Sequence, residues 1–125
     1  MSGLKPLLLV LCFLSGPAIA GDRPLMAAFA TCAGRLSAEL EHAWLMRDAG
    51  SARIEDRRRH FLSLLDATVP AGRQRDALDL RIRAKAAHAA LLAQASFATR
   101  ADHAQWAQRR ARLEITSCAG YLLES

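Results

Sequence analysis

Two stretches that each contain a cysteine decide the fold: Phe-Ala-Thr-Cys-Ala-Gly-Arg-Leu at 29–36 and Ile-Thr-Ser-Cys-Ala-Gly-Tyr-Leu at 115–122. In both, apolar residues flank the cysteine at three- and four-residue spacing, which places them on one face of an α-helix. A bond between Cys32 and Cys118 would close a loop of about 86 residues, and loop-closure entropy values such a link at roughly 4.5 kcal/mol at most. We therefore predict that one disulfide joins helices near opposite ends of the chain.

The first 20 residues have the three-part pattern of a secretory signal. Lys5 precedes an apolar run at 7–14, Ser-Gly-Pro at 15–17 interrupts that run, and Ala-Ile-Ala at 18–20 supplies the small residues that a signal peptidase requires. The alternative is a membrane anchor, but the apolar run is shorter than the roughly 20 residues that span a bilayer. We expect a cleaved signal peptide and no stable membrane insertion afterwards.

Export also determines the expected fate of the three cysteines. Cys12 follows a leucine where a lipoprotein signal would have Gly, Ala or Ser, so it is expected to leave with the signal peptide. Cys32 and Cys118 then enter an oxidising compartment, periplasmic or extracellular, in which thiols pair. The alternative is two free buried thiols that act as small apolar residues. The alanine-rich chain, with arginine in place of most lysine, is typical of a bacterial source.

Apolar periodicity predicts four helices and no strand. Gly50 suits a left-handed cap at the end of the first helix, Ser51 can cap the second, Pro70 ends it, and Thr99 is the weakest boundary, between the third and fourth helices. Short connections favour antiparallel neighbours. Residues 21–125 are thus expected to form one all-α domain, a small up-down four-helix bundle closed by the disulfide.

Three helices carry a single apolar stripe that is expected to face the core. The stripes are Leu25, Phe29, Cys32, Leu36, Leu40 and Ala43 in the first helix; Ile54, Phe61, Leu62, Leu65 and Val69 in the second; and Ala104, Ala107, Ala111, Ile115, Cys118 and Leu122 in the fourth.

The third helix is apolar on two sides, which favours a central position in the bundle. One side consists of Leu78, Ile82, Ala89, Ala93 and Phe97. The other consists of Leu80, Ala84, Ala87, Leu91, Ala95 and Ala98, and Arg81, Lys85 and His88 separate the two along one edge. The alternative is that one of the two sides is a dimer or ligand surface.

A metal site has one weak candidate. The chain has no HExxH, CxxC or CxxCH motif, so no standard zinc site, c-type haem or other cofactor is expected. Glu39 and His42 form a single Glu-x-x-His, and Asp56 and His60 lie at the same height on the antiparallel second helix. These four could bind one metal ion, but both histidines point away from their apolar stripes, which favours solvated surface residues.

A partner surface is predicted on the fourth helix. Trp106 and Leu113 lie opposite its core stripe, flanked by Arg109 and Arg110. Exposed aromatic residues beside arginine are typical of protein-binding hot spots. The alternative is that the tryptophans, Trp44 included, cover the edges of neighbouring helices while each indole N–H faces water.

Catalysis and nucleic-acid binding are not expected. The sequence contains no catalytic motif, and no predicted loop is long enough to build a pocket. The three arginines at 57–59 cannot face one way, because successive helical residues differ by about 100°. Loss of Lys5 with the signal lowers the net charge only from +5 to +4. We expect a non-catalytic interaction module; the alternative is a small metal- or ligand-binding bundle.

Cleavage after Ala20 can be tested by the intact mass of protein recovered from the envelope of the native host. We expect the mass of residues 21–125, lowered by 2 Da if Cys32 and Cys118 are joined, because each disulfide removes two hydrogens. The mass of the full 125-residue chain would contradict the prediction.

Overall fold

The computed structural model describes the backbone of residues 22–123 and the side chains of residues 25–122. This part of the chain is entirely helical, without a strand, as predicted. The helices are α1 (Asp22–Leu45), α2 (Ser51–Thr68), α3 (Gln74–Phe97) and α4 (Ala101–Leu123). The predicted signal peptide, residues 1–20, lies outside the described residues, so it stays a prediction. No described helix has the length and hydropathy needed to cross a membrane.

The turn after α1 differs from the prediction. Arg47 takes the left-handed position, with φ 54°, whereas Gly50 has an ordinary φ of −77°. The backbone N–H of Asp48 donates to the carbonyl of Ala43 at 2.8 Å, which closes the helix end. The Asp48 carboxylate then accepts the N–H of Gly50 at 2.7 Å. Gly50, not Ser51, is the N-cap of α2, so Ser51 begins the helix.

The predicted break between α3 and α4 is confirmed. Residues 98–100 leave the helix, and Ala98 is extended, with ψ 137°. The Arg100 carbonyl accepts the N–H of Ala104 at 3.1 Å, and the Arg100 guanidinium pairs with Asp102. The chain can therefore reverse and carry α4 back along the bundle.

The central helix is α1, so the prediction of a central third helix is wrong. α1 packs extensively on both α2 and α3 and also contacts α4, whereas α4 packs mainly on α3. Only one apolar side of α3 faces the core. Along the other side Leu78, Ile82 and Phe97 are 48%, 58% and 61% exposed.

Small residues explain why α1 lies at the centre. A Cβ built on Gly34 would lie 2.3 Å from the carbonyl oxygen of Arg81 and 3.0 Å from the amide nitrogen of Lys85, so the backbones of α1 and α3 approach closely here. Ala30, Ala33 and Ala38 are also buried. Short side chains on α1 let its neighbours approach on several sides at once.

The disulfide joins α1 to α4 beside the aromatic core. Cys32 and Cys118 are bonded, with Cα atoms 5.6 Å apart, and both are buried. The Phe29 ring packs against Phe61 of α2 and edge-on against Tyr121 of α4, with centroids 6.1 and 5.7 Å apart. The predicted stripes are largely buried or half-buried, but Leu25 is exposed.

Replacement of Gly34 by alanine tests the close approach. Gly34→Ala should destabilise the fold by about 1–3 kcal/mol, because the new methyl group must displace a backbone carbonyl rather than a side chain. Chemical denaturation measures the effect.

Gly120→Ala is the matched control. A Cβ at this exposed helical glycine meets nothing within 4 Å, so alanine should stabilise α4 by up to about 1 kcal/mol. Equal stability changes in the two variants would contradict the packing described for Gly34.

Candidate functional site

A buried histidine links three of the four helices. The His88 side chain on α3 has no solvent exposure. Its Nε2 lies 2.7 Å from Oε1 of Glu39 on α1, and its Nδ1 lies 3.4 Å from Oε2 of Glu114 on α4. Each ring nitrogen thus faces a carboxylate oxygen, which can accept a hydrogen bond from a ring N–H. His88 can therefore act as a polar clamp between two helices that flank its own.

Two arginines complete the surroundings of Glu114. Arg110 Nε donates to Oε1 of Glu114 at 3.0 Å, and Arg35 Nε of α1 lies 3.5 Å from Oε2. Arg35 Nη1 also donates to the Glu114 carbonyl oxygen at 3.2 Å. Burial raises the pKa of the Glu114 carboxyl, but the charge of Arg35 and the hydrogen bonds from His88 and Arg110 outweigh it, so the pKa is lowered.

This polar network fixes how α4 sits on the bundle. Glu114 is one turn before Cys118 on α4, and Arg35 is almost one turn after Cys32 on α1. The disulfide and the ion pairs therefore join the same two helices at neighbouring levels. A rotation of α4 about its axis would break the bonds of Glu114, so the network determines which face of α4 points outward.

Sequence reasoning missed the network, because it assigned His88 to a polar edge between two apolar sides of the third helix. The face of α3 that meets the core instead runs through Ala77, Ala84, His88 and Leu92, of which Ala84 is half-buried and the others are buried. These residues follow steps of seven and four, which is a helical signal in its own right. The carboxylates that meet His88 are far away in sequence, so no local pattern could identify them.

The outer face of α4 is exposed as predicted. Trp106 is 53% and Leu113 66% exposed, whereas Ala107, Ala111 and Cys118 on the opposite side are buried. The two large apolar residues are seven positions apart, so they lie two turns apart on one side of the helix. The helix thus presents a short apolar strip to solvent.

The flanking arginines differ in their contacts. Arg109 is exposed, with no ion pair among the described residues. Arg110 is held by Glu114, although its side chain is still 57% exposed. The buried network therefore positions one of the two arginines next to the apolar strip.

Trp44 is a second exposed tryptophan, at the far end of α1. It is 60% exposed and is followed by Leu45 and Met46, which are 67% and 52% exposed. Trp44 borders a groove of about 330 Å³ together with Ile82 and Arg58. Like Trp106, it leaves more than half of its surface in solvent.

The four residues proposed for a metal site are divided between two places: two on α1 contact other side chains, and two on α2 are exposed. Glu39 is bonded to His88, and His42 Nε2 lies 3.1 Å from the Ser96 hydroxyl. Asp56 and His60 are exposed on α2. Within the described residues, no three His, Cys, Asp or Glu side chains are arranged to hold a metal ion. The geometry gives this prediction no support.

The His42–Ser96 pair is the arrangement most similar to a catalytic one. It borders a cavity of about 360 Å³ that also contacts Gln108 and Arg112. A serine nucleophile needs a histidine oriented by a third group and N–H donors for the developing oxyanion. Glu39, one turn before His42, is bonded to His88 instead, and Ser96 lies within a helix whose N–H groups are bonded internally. We therefore assign the pair no catalytic role.

The arginine run at 57–59 is divided, as helix geometry requires. Arg58 forms two hydrogen bonds with Glu55, at 2.8 and 2.9 Å, and Arg59 forms a third at 3.1 Å. The hydrogen bond from Arg58 is the main reason why the pKa of Glu55 falls to about 2. These arginines stabilise α2 locally rather than forming a basic face.

Comparison with known proteins adds no assignment. The chain matches no protein-family model, and neither the curated proteins nor the solved structures contain a significant match. The function is therefore argued from the surfaces described above.

The Glu114 network predicts a pH-dependent stability. The pKa of Glu114 is lowered on folding, so its contribution is present above the ordinary glutamate value of 4.5 and is lost as the pH falls through the lower folded value. Glu114→Gln should be less stable than the parent by about 1–3 kcal/mol at pH 7. This difference should shrink as the pH falls below about 4. Urea unfolding at pH 7, 5, 4 and 3 measures it.

Glu41→Gln is the matched control. Glu41 pairs with Lys85, and its side chain is 54% exposed, so its removal should change stability by less than about 1 kcal/mol at pH 7. A Glu114→Gln effect that does not depend on pH would show that the side chain acts by packing alone.

Proposed function

We propose that this chain is an exported, non-catalytic interaction module that binds a protein partner through the outer face of α4. The observation that carries the proposal is the exposure of Trp106 and Leu113 on a helix whose opposite side is buried. Trp106 lies opposite the core stripe of α4, so the packing of that stripe does not require a tryptophan here. Its large apolar surface is available to a partner.

The surroundings of Trp106 favour protein binding. Tryptophan and arginine are enriched among residues that dominate the energetics of protein interfaces. Arg109 and Arg110 can pair with acidic groups around a pocket that accepts the indole ring. The buried network of Glu114 holds α4 in one orientation, so less freedom is lost when a partner binds.

Export is supported by the pattern of residues 1–20 and is compatible with the disulfide. Disulfides persist in the periplasm and outside the cell and are rare in the cytosol of most organisms. The Cys32–Cys118 bond joins helices near the two ends of the described chain. Such a link helps a domain of this small size to stay folded outside the cytoplasm.

Ligand binding is the alternative, and one observation favours it. The cavity of about 360 Å³ between α1, α3 and α4 contains both polar and apolar groups, among them Glu39, His42 and Arg112. The alternative is distinguished by elemental analysis of protein purified without a histidine tag. Stoichiometric metal that is lost in Glu39→Ala or His42→Ala would favour a metal-binding bundle over an interaction module.

Trp106→Ala tests the proposed surface. The variant should lose at least tenfold in its capture of partners from envelope extract, since truncation of an interface tryptophan often costs about 2 kcal/mol or more. Its thermal unfolding should change little, because the side chain is more than half exposed. Quantitative capture by immobilised protein, read by mass spectrometry, and melting curves measure the two effects.

Trp44→Ala is the matched control, since it removes another tryptophan that is more than half exposed, from a different helix. It should retain the partners that Trp106→Ala loses. Equal loss in both variants would indicate nonspecific adhesion by exposed aromatic residues. A large loss of stability in Trp106→Ala would show that the indole ring is needed for the fold, and the proposed surface would not exist.

A further inference from the structure

A groove of about 330 Å³ lies over α1, between α2 and α3. We define this α2–α3 groove by five residues that border it: Trp44, Arg58, Arg81, Ile82 and Lys85. Its volume is at the lower end of the range for small-molecule sites. The residues that border it belong to α1, α2 and α3, so the groove is separate from the Trp106 surface on α4.

Arg81 is an exception among the arginines that the structure describes. It is half-buried, yet its guanidinium takes part in none of the described ion pairs. Each of the other half-buried arginines, Arg35, Arg58 and Arg73, has a carboxylate partner. Arg81 also borders a second hollow together with Asp66, which is exposed and forms no described ion pair with it. The planar N–H donors of Arg81 are therefore available to an oxyanion from outside the chain.

The neighbouring charges leave the α2–α3 groove positive. Arg58 donates to Glu55, but Glu55 also accepts from Arg59, so one carboxylate balances two guanidinium groups. Lys85 pairs with Glu41, an acid that also borders the groove. Because Arg81 is unpaired as well, positive charge remains after these pairs are counted. A groove lined by an excess of one charge attracts ligands of the opposite sign.

Apolar surface lies beside these charges in the same groove. Trp44 and Ile82 are 60% and 58% exposed, and both border the groove with Leu40 of α1. The close approach at Gly34 places the backbone of Arg81 at the level of Gly34 on α1. Gly34 and Trp44 are ten residues apart, or about 15 Å along the helix axis. The groove therefore has room for a charged head group at one end and a flat apolar body at the other, where an indole ring can stack.

We propose that the α2–α3 groove binds a small organic anion with an aromatic body. Arg81 holds its carboxylate or phosphate group, and Arg58 adds positive charge beside it. The aromatic body lies against Ile82 and Trp44. The proposal does not depend on the function of α4, because a ligand in this groove and a protein partner at Trp106 would occupy different parts of the molecule.

Titration with 4-phenylbutyrate, followed by ¹H–¹⁵N NMR of the oxidised protein, tests the site. The two indole N–H signals are assigned with Trp44→Phe and Trp106→Phe. The Trp44 signal should shift with a dissociation constant in the millimolar range or below, as expected for about a dozen non-hydrogen atoms, while the Trp106 signal stays in place. Equal shifts of both signals, or none at about 10 mM ligand, would overturn the proposal.

Two relatives of this probe test its charge. The uncharged 4-phenylbutanamide has the same aromatic body and should bind at least about fivefold more weakly, because charge-assisted hydrogen bonds are stronger than neutral ones. Equal affinity of acid and amide would overturn the anion site. The phosphate ester 4-phenylbutyl phosphate should also bind, and whichever anion binds more tightly identifies the preferred head group.

Arg81→Gln should weaken the binding of 4-phenylbutyrate about tenfold, since it removes the hydrogen-bonded charge. Arg75→Gln is the matched control: Arg75 is an exposed arginine of the same helix outside the groove, so the net charge changes equally and the affinity should stay within about twofold. Equal affinities in the two variants would contradict the role of Arg81.

A second pair of variants leaves Arg81 in place and so does not depend on the folding of the Arg81 variant. Ile82→Glu puts a carboxylate into the groove and should weaken binding about tenfold, whereas Ile82→Gln, of nearly the same shape, should bind more tightly than Ile82→Glu. The side chain is more than half exposed, so circular dichroism should show both variants folded. Equal binding by the two would show that charge does not govern this groove.

Discussion

The close approach of α1 and α3 at Gly34 is the constraint on which the rest of the structure depends. Because the two backbones meet there without an intervening side chain, α1 can contact α3 while its other sides accept α2 and α4. The approach also sets the level of His88 relative to Glu39, which are bonded across the same pair of helices. A larger residue at Gly34 would separate α1 from α3 and disturb the polar network with them.

Covalent and polar links then act together on α4. The Cys32–Cys118 bond holds α4 against α1 at one point, but a single link still allows the helix to pivot about that point. Glu114 removes that freedom through its contacts with His88 of α3 and Arg35 of α1. The exposure of Trp106 is therefore a consequence of buried chemistry on the other side of the helix.

The sequence predicted the four helices, their breaks and the disulfide, because these depend on local signals: apolar spacing, Pro70 and the two cysteines that remain after the predicted signal. It also predicted which side of α4 is exposed. It failed for α3, because two apolar sides do not reveal which one is covered by the same chain. The network around His88 was not predicted for a related reason. Glu114 and Glu39 are 26 and 49 positions from the histidine, and only the packing of helices brings them together.

The same packing explains why one apolar side of α3 is exposed. Glycine and alanine on α1 let it contact three neighbouring helices. It therefore occupies the centre of the bundle, the position that was predicted for α3 from its two apolar sides. α3 is displaced to the periphery, where only its alanine- and histidine-lined side meets the core. Its other side keeps Leu78, Ile82 and Phe97, whose exposure is unfavourable in an isolated monomer. The exposed apolar side of α3 is thus the surface that remains when α1, rather than α3, takes the centre of the bundle.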